Sequence, residues 1–187
     1  MDNKLISELL EKFETETYFH YKKQDEAIDE LIKKYPNNKD FLGVILKVGI
    51  INSFYSTNIF KPFAVAKKIF AIKDLDKKLE DGSISVMNEI ANVEIAGKKK
   101  NFYSFATKYC YHHNHNGYTI YDSYLDNEIW KLIKKDKFID VRREDLKNYS
   151  IYLEVLCTLK KYYSLDKFTN RDIEKALWIK GKEDSFT

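Results

Sequence analysis

The sequence predicts an all-α protein, for two reasons of composition and one of pattern. Six glycines and two prolines in 187 residues are far fewer than an average chain carries, which disfavours turn-dense β folds and linker-rich chains. With 44% hydrophobic and 33% charged residues, the chain has apolar side chains for a core and charge for a solvated exterior, so we expect it to fold. The apolar residues also recur with the period of a helix.

This spacing places the expected helices in order along the chain. One or two helices cover Leu5 to Ile32 and end before the Lys-Tyr-Pro-Asn-Asn segment at 34–38. The apolar stretch from Asp40 to Ile72 predicts a buried helix, a polar turn and an amphipathic helix with Pro62 near its first turn. Further helices are expected over 86–91, 101–113, 123–134, 146–163 and 170–179. The total is about seven to nine short helices.

The domain organisation follows from what the chain lacks. It has no internal repeat and no linker rich in Pro, Gly and Ser. Its length suits one domain. We therefore expect a single compact multi-helix domain over residues 1–187, or two packed helical subdomains with a cleft between them, and a monomer.

Charge and cysteine usage narrow the class of protein. Thirty-two Lys and Arg against 29 Asp and Glu give a net charge of +3, which is too small to indicate a nucleic-acid binder, so any electrostatic argument must be local. The only cysteines are Cys110 and Cys157, and the N-terminus is acidic and amphipathic, which predicts a reduced cytoplasmic protein. The apolar run Val48–Phe60 is shorter than the roughly 20 residues of a membrane span, so we expect no membrane segment.

A short tract near the middle of the chain contains potential zinc ligands. Cys110, His112, His113 and His115 are ligand types that zinc accepts. On a helix, 112 and 113 diverge by about 100°, and no second Cys/His cluster completes a tetrahedral set. The sequence therefore favours surface and loop histidines over a protein-bound metal.

The same region carries an ordered set of residues. Ser104-Phe105-Ala106-Thr107-Lys108 is followed by a short helix and then by Thr119-Ile120-Tyr121-Asp122-Ser123 at the start of the next helix. This order resembles the centre of the helix-hairpin-helix DNA glycosylase superfamily, the group of endonuclease III and oxoguanine glycosylase. There, a Gly-x-Gly-x-Lys hairpin precedes a helix and a Val-Asp-Thr or Val-Asp-Val sequence. Ser104 and Ala106 stand at the glycine positions, Lys108 at the lysine and Asp122 at the aspartate.

An upstream segment is similar to the same family. Residues 46–59 followed by 64–69 resemble the family's early buried helix, polar turn and next helix. In relatives that turn lies against the DNA and the lesion pocket, so the resemblance implies that Asn52, Tyr55 and Asn58 contact DNA or a base. A capped turn without a binding role is the alternative. Together the two segments span residues 46–130.

The resemblance implies a reaction. A lysine amine in a partly dry cleft loses affinity for its proton and can attack a sugar C1′ to form a Schiff base, which is the role assigned to Lys108. Asp122 would stabilise the positive charge that develops on the sugar. Strand cleavage by β-elimination would follow. We expect no cofactor, and two cysteines cannot supply the four ligands of an iron–sulfur cluster.

The expected partner is duplex DNA with a damaged or mispaired base. Lys98, Lys99 and Lys100 precede the Ser104–Lys108 segment and would neutralise phosphates, whereas the alternative is a solvated lysine face. The remaining predicted DNA contacts are these three lysines together with Ser104 and Ala106. Two further readings stay open: a non-catalytic DNA-binding or protein-interaction protein that keeps the fold, and an unrelated helical module in which 14 Tyr and 12 Phe form core and interface.

Overall fold

The computed structural model describes residues 1–185, which are mostly helical. Within this range there are ten α-helices, one 3-10 helix over Arg143–Lys147 and two short strands. The helices are α1 (Asn3–Phe13), α2 (Phe19–Lys34), α3 (Phe41–Phe54), α4 (Pro62–Phe70), α5 (Leu75–Glu80), α6 (Ile84–Ala91), α7 (Tyr103–His113), α8 (Ser123–Asp136), α9 (Tyr149–Tyr162) and α10 (Asn170–Asp184), and the strands are β1 (Asn92–Ile95) and β2 (Lys98–Asn101).

The chain forms two compact units. The central unit is Lys23–Ile120, and the terminal unit combines Met1–Lys22 with the chain from Tyr121 onward. Helix α2 therefore begins in the terminal unit and continues into the central unit.

The central unit is organised around α3. The carboxylate of Asp40 accepts hydrogen bonds from the Leu42 and Gly43 amides and so caps this helix. Helix α3 packs against α4 and α7, and α7 also packs against α6. The core is mainly aliphatic and includes the aromatic residues Phe105 and Tyr109, both fully buried. Helix α7 thus lies in the interior, with its residues from Tyr103 to His112 buried except Ser104.

A β-hairpin in the central unit corrects the all-α prediction in one place. Strands β1 and β2 pair antiparallel, with Ile95 opposite Lys98. The two turn residues, Ala96 and Gly97, have positive φ of 50° and 74°, as a two-residue type I′ turn requires. The lysine-rich second strand lacks the apolar alternation that indicates a strand, and its buried partner face is limited to Val93 of β1.

The terminal unit is formed by α1, α8, α9 and α10. Helix α10 packs against both α1 and α8. At Gly181 a Cβ atom would lie 3.0 Å from the carbonyl oxygen of Tyr124, so the absence of a side chain permits the close approach of α8 and α10. Thr169 and Asp172 form a capping box at the start of α10.

Most expected helices are confirmed, and one helix is additional. The short helix α5 was not among those predicted, and it brings the number in the described range to ten, against the seven to nine predicted. Its six residues carry only Leu75 and Leu79 as buried positions, too few for a periodic signal. No helix in residues 1–185 combines the length and apolar character needed to cross a membrane.

Candidate functional site

Lys108 lies in the second turn of α7, within the central unit. Ser104 lies one turn earlier in the same helix, and Ala106 lies two residues before Lys108. The hairpin that the resemblance implied at these residues is therefore not present. Without glycine the backbone at 104 and 106 does not adopt positive φ, and it continues as a helix from Tyr103. Ala106 is fully buried, which removes its side chain from any DNA surface.

The amine of Lys108 is enclosed. The residue is 1% exposed, and Nζ donates to the hydroxyl of Ser104 at 2.8 Å and approaches its carbonyl oxygen at 3.4 Å. Nζ also lies 5.3 Å from the centre of the Tyr55 ring. An enclosed amine is in a drier environment than a surface lysine, and the face of an aromatic ring attracts the protonated form of an amine.

Asp122 lies in the terminal unit, at the N-cap of α8, which is the helix-start position that the resemblance implied. Its Oδ1 accepts hydrogen bonds from the amides of Tyr124 and Leu125 at 2.9 and 3.0 Å. Both cap bonds use the same oxygen, so Oδ2 lies outside the cap. Asp122 therefore caps α8 through Oδ1, and its Oδ2 takes part in neither cap bond.

Two of the predicted DNA-contacting residues, Asn52 and Asn58, have different environments in the polar turn after α3. The side-chain amide of Asn52 bonds within the turn, where Oδ1 accepts from Thr57 and from the Ile59 amide and Nδ2 donates to the Ile59 carbonyl. Asn58 is exposed, with φ of 58°. Asn52 therefore shapes the turn, as the capped-turn alternative holds, while Asn58 lies at its surface.

The basic residues are exposed. Lys98, Lys99 and Lys100 all lie on β2 and face solvent. Because side chains alternate along a strand, Lys98 and Lys100 share one face and Lys99 occupies the other, opposite Glu94. The hairpin presents a small positive surface directly before α7.

Tyr55 belongs to a chain of polar contacts that the sequence did not predict. Its hydroxyl donates to Asp25 Oδ1 at 2.7 Å and lies 2.9 Å from His112 Nε2. The other ring nitrogen, Nδ1 of His112, lies 2.7 Å from Asp29 Oδ1, and His115 Nε2 lies 3.1 Å from the same oxygen. We call these five residues, Asp25, Asp29, Tyr55, His112 and His115, the Asp–His cluster.

Helix periodicity explains how the cluster forms. Asp25 and Asp29 are one turn apart on α2 and so share a face. His112 lies in the last turn of α7, and His115 follows the helix end. The sequence indicates His112 and His115 as possible ligands and places Asp25 and Asp29 one turn apart. Nothing local indicates that residue 29 meets residue 112.

The carboxyl group of Asp29 is held ionised. Burial raises its pKa, but the hydrogen bonds from His112 and His115 act in the opposite direction and outweigh it, so the pKa lies below its usual range. The side chain of His112 is 1% exposed, whereas those of Asp29 and His115 are 32% and 45% exposed. The cluster is thus anchored in the interior and open at one side.

The potential zinc ligands are divided by the fold. One ligand atom from each of Asp29, His112 and His115 lies within 4.8 Å of the other two, close enough for one metal ion. Cys110 is fully buried, and burial raises the pKa of its thiol. His113 is also enclosed; burial lowers its pKa well below the usual range, and its Nε2 has no hydrogen-bond partner among the described residues.

Comparisons with known proteins give the family. The model of the HI_0787_N family, described as an N-terminal domain, matches residues 5–117. A protein of Haemophilus influenzae described as uncharacterized is 46% identical over 140 residues, which make up 75% of this chain and 67% of that relative. No solved structure matches the chain significantly.

The chain therefore belongs to the HI_0787_N family. The matched segment contains Lys108 and the whole Asp–His cluster, whereas Asp122 lies beyond its end.

Proposed function

We propose that the protein is a glycosylase with lyase activity that acts on damaged or mispaired bases in duplex DNA, with Lys108 as nucleophile and Asp122 as the assisting carboxylate. The observation that carries the proposal is the enclosure of the Lys108 amine, 1% exposed and beside the Tyr55 ring. Removal from water favours the neutral form of an amine, which is the form that attacks carbon. The order of residues from Ser104 to Ser123 supports the same chemistry.

The proposed reaction begins at the sugar. The neutral amine of Lys108 bonds to C1′ while the glycosidic bond breaks, and the departing base takes the electron pair of that bond and a proton from the new C1′–nitrogen centre. The nitrogen lone pair then breaks the bond between C1′ and O4′, O4′ takes a proton from water, and a protonated Schiff base joins C1′ to Lys108. Loss of a proton from C2′ then expels the 3′ phosphate and cleaves the strand.

Asp122 has the charge that this transition state needs. Positive charge builds on the sugar as the base departs, and a fixed carboxylate stabilises it. Because the cap bonds of Asp122 end on Oδ1, Oδ2 is the oxygen proposed to face the sugar.

Exposed side chains of the central unit support a DNA partner. Lys98, Lys99 and Lys100 on β2 supply positive charge for phosphates. Phe60 follows the polar turn after α3 and is 92% exposed. An exposed aromatic ring is suited to fill the gap that a flipped base leaves in the duplex.

Borohydride trapping tests the proposal. The untagged chain is incubated with duplexes that carry an abasic site, an oxidised purine, an oxidised pyrimidine or uracil, and the Schiff base is reduced to a stable adduct. We expect an adduct with at least one duplex. The yield of this adduct should fall at least about a hundredfold in Lys108→Gln. Lys39→Gln is the matched control and should retain the adduct, since Lys39 is exposed and lies outside the proposed reaction centre and DNA contacts. No adduct on any duplex, or an adduct that persists in folded Lys108→Gln, would contradict the proposal.

A non-catalytic interaction protein is the second candidate function, and one observation favours it. Helices α3 and α4 expose large apolar side chains, namely Leu42, Leu46, Phe63 and Phe70. Exposed apolar surface is typical of protein contact sites. Absence of any adduct together with absence of salt-sensitive DNA binding would favour this candidate.

A further inference from the structure

The Asp–His cluster presents three metal-ligand atoms at one point of the central unit. Asp29 Oδ1 lies 2.7 Å from His112 Nδ1 and 3.1 Å from His115 Nε2. We propose that Asp29, His112 and His115 bind a divalent transition-metal ion of the zinc class. This inference is independent of the proposed reaction, which uses no metal.

The ligand set suits such an ion. Zinc binds imidazole nitrogen and carboxylate oxygen at about 2.0–2.2 Å, so two donor atoms of a tetrahedral site lie about 3.3 Å apart. The distances of 2.7 and 3.1 Å need to widen by only a few tenths of an ångström. Two nitrogens and one oxygen leave a fourth position for water, as in zinc sites with three protein ligands.

The contacts of Tyr55 with Asp25 and His112 fix which nitrogen of His112 is available. Tyr55 has one hydroxyl hydrogen, and it goes to the carboxylate of Asp25. The contact between the Tyr55 oxygen and His112 Nε2 must then use a hydrogen from Nε2. Nε2 is thus committed to Tyr55, and Nδ1 is the nitrogen that hydrogen-bonds to Asp29 in the ion-free site. A metal ion that enters between Nδ1 and Asp29 takes the place of that proton, which is released on binding. Outer contacts of this kind orient a metal-ligating histidine and set its tautomer.

Neighbouring side chains orient the proposed metal ligands, and one side of the cluster is open to solvent. The Tyr111 ring stacks on His115 with centroids 4.5 Å apart and an interplanar angle of 16°, which orients the more exposed of the two imidazoles. The side chain of His112 is buried at 1% exposed, while those of His115 and Asp29 are 45% and 32% exposed. An ion can enter from that side, and a water molecule can complete its coordination.

Titration with Zn²⁺ alone tests the site. Isothermal calorimetry of the untagged chain should show one ion per chain with micromolar or tighter affinity, and Co²⁺ should give the visible absorption of a tetrahedral complex. His115→Gln and Asp29→Asn should each weaken binding at least tenfold. His20→Gln is the control, because His20 is an exposed histidine of α2 outside the cluster; it should leave affinity unchanged.

Two further results separate a built site from general affinity for metals. Tyr55→Phe should lower Zn²⁺ affinity about 10–100-fold because His112 loses its tautomer control. Saturating Zn²⁺ should raise Tm by roughly 5–10 °C at a hundredfold excess over Kd, and His115→Gln should remove this shift. Equal affinity in wild type and His115→Gln, several ions per chain, or only millimolar binding would overturn the inference.

Discussion

Two lysines of the central unit, Lys47 on α3 and Lys108 on α7, are removed from water to nearly the same degree, 0% and 1% exposed, yet their partners differ. Nζ of Lys47 donates to the carbonyl oxygens of Tyr35 and Asn37 and to Asn38 Oδ1, at 3.2, 3.0 and 2.7 Å. Three acceptors match the three hydrogens of an ammonium group. Lys47 therefore ties the loop before α3 to that helix.

The partners of Lys108 are of another kind. Its amine bonds to Ser104 of its own helix and lies over the Tyr55 ring, which itself belongs to the Asp–His cluster. The comparison teaches that burial by itself does not identify a functional lysine. The identity of the partners separates a lysine that fastens the fold from one that is placed beside reactive groups.

The largest expected effect is on stability. Lys47→Ala removes a fully buried side chain and the donor of the Tyr35 and Asn37 carbonyl oxygens, while Asn38 Oδ1 keeps the Tyr109 hydroxyl. We expect the free energy of unfolding to fall by about 3–5 kcal/mol. Urea denaturation measures this change. Lys98→Ala on the exposed strand is the control and should change stability by less than about 0.5 kcal/mol. A loss below about 1 kcal/mol for Lys47→Ala would show that Lys47 does not fasten the fold.

Lys47 also makes the free energy of unfolding depend on pH. Burial lowers the pKa of Lys47 to about 8, although Asp76 and Asp40 act in the opposite direction. As pH rises from about 8 to about 10.5, the folded state releases this proton while the unfolded state keeps it, so the contribution to stability increases by roughly 2 kcal/mol. The difference between wild type and Lys47→Met isolates this contribution in denaturation curves at pH 7.5 to 10. Parallel pH profiles for the two proteins would contradict it.

Two substitutions of Asp122 distinguish its role as a helix cap from its proposed role in the reaction, with a smaller expected effect on stability. Asp122→Ala removes the cap of α8 and should cost about 1 kcal/mol, while Asp122→Asn keeps the cap and most of the stability. Trapping yield should nevertheless fall in Asp122→Asn, because an amide cannot stabilise positive charge on the sugar. Full adduct formation by Asp122→Asn would leave Asp122 as a cap alone.

The smallest effect on the fold is expected at the basic strand. Changing Lys98, Lys99 and Lys100 together to Gln should leave the thermal melt unchanged, because all three side chains are exposed. For duplex DNA, the slope of log affinity against log salt should become shallower by up to about 2.7, since each contacted phosphate contributes about 0.9. Fluorescence anisotropy over a range of salt concentrations gives the slope, and an unchanged slope would exclude these lysines from the DNA contact.

Local patterns predicted the helices but only part of the candidate site. Apolar spacing and caps such as Thr169 act within one helix, so they are readable from the sequence. The hairpin depends on positive φ at Ala96, which no residue type there demands. The contact of Asp29 with His112 joins residues 83 positions apart, and only the packing of α2 near the end of α7 brings them together.

The most direct measurement is the position of the reduced adduct on the chain. After borohydride trapping on an abasic duplex, nuclease and protease digestion with mass spectrometry locates the modified lysine. We expect modification at Lys108, with Lys47 unmodified because its amine is held by three oxygens. An adduct at Lys47 or on the exposed Lys98–Lys100 strand, or none on Lys108, would contradict the account.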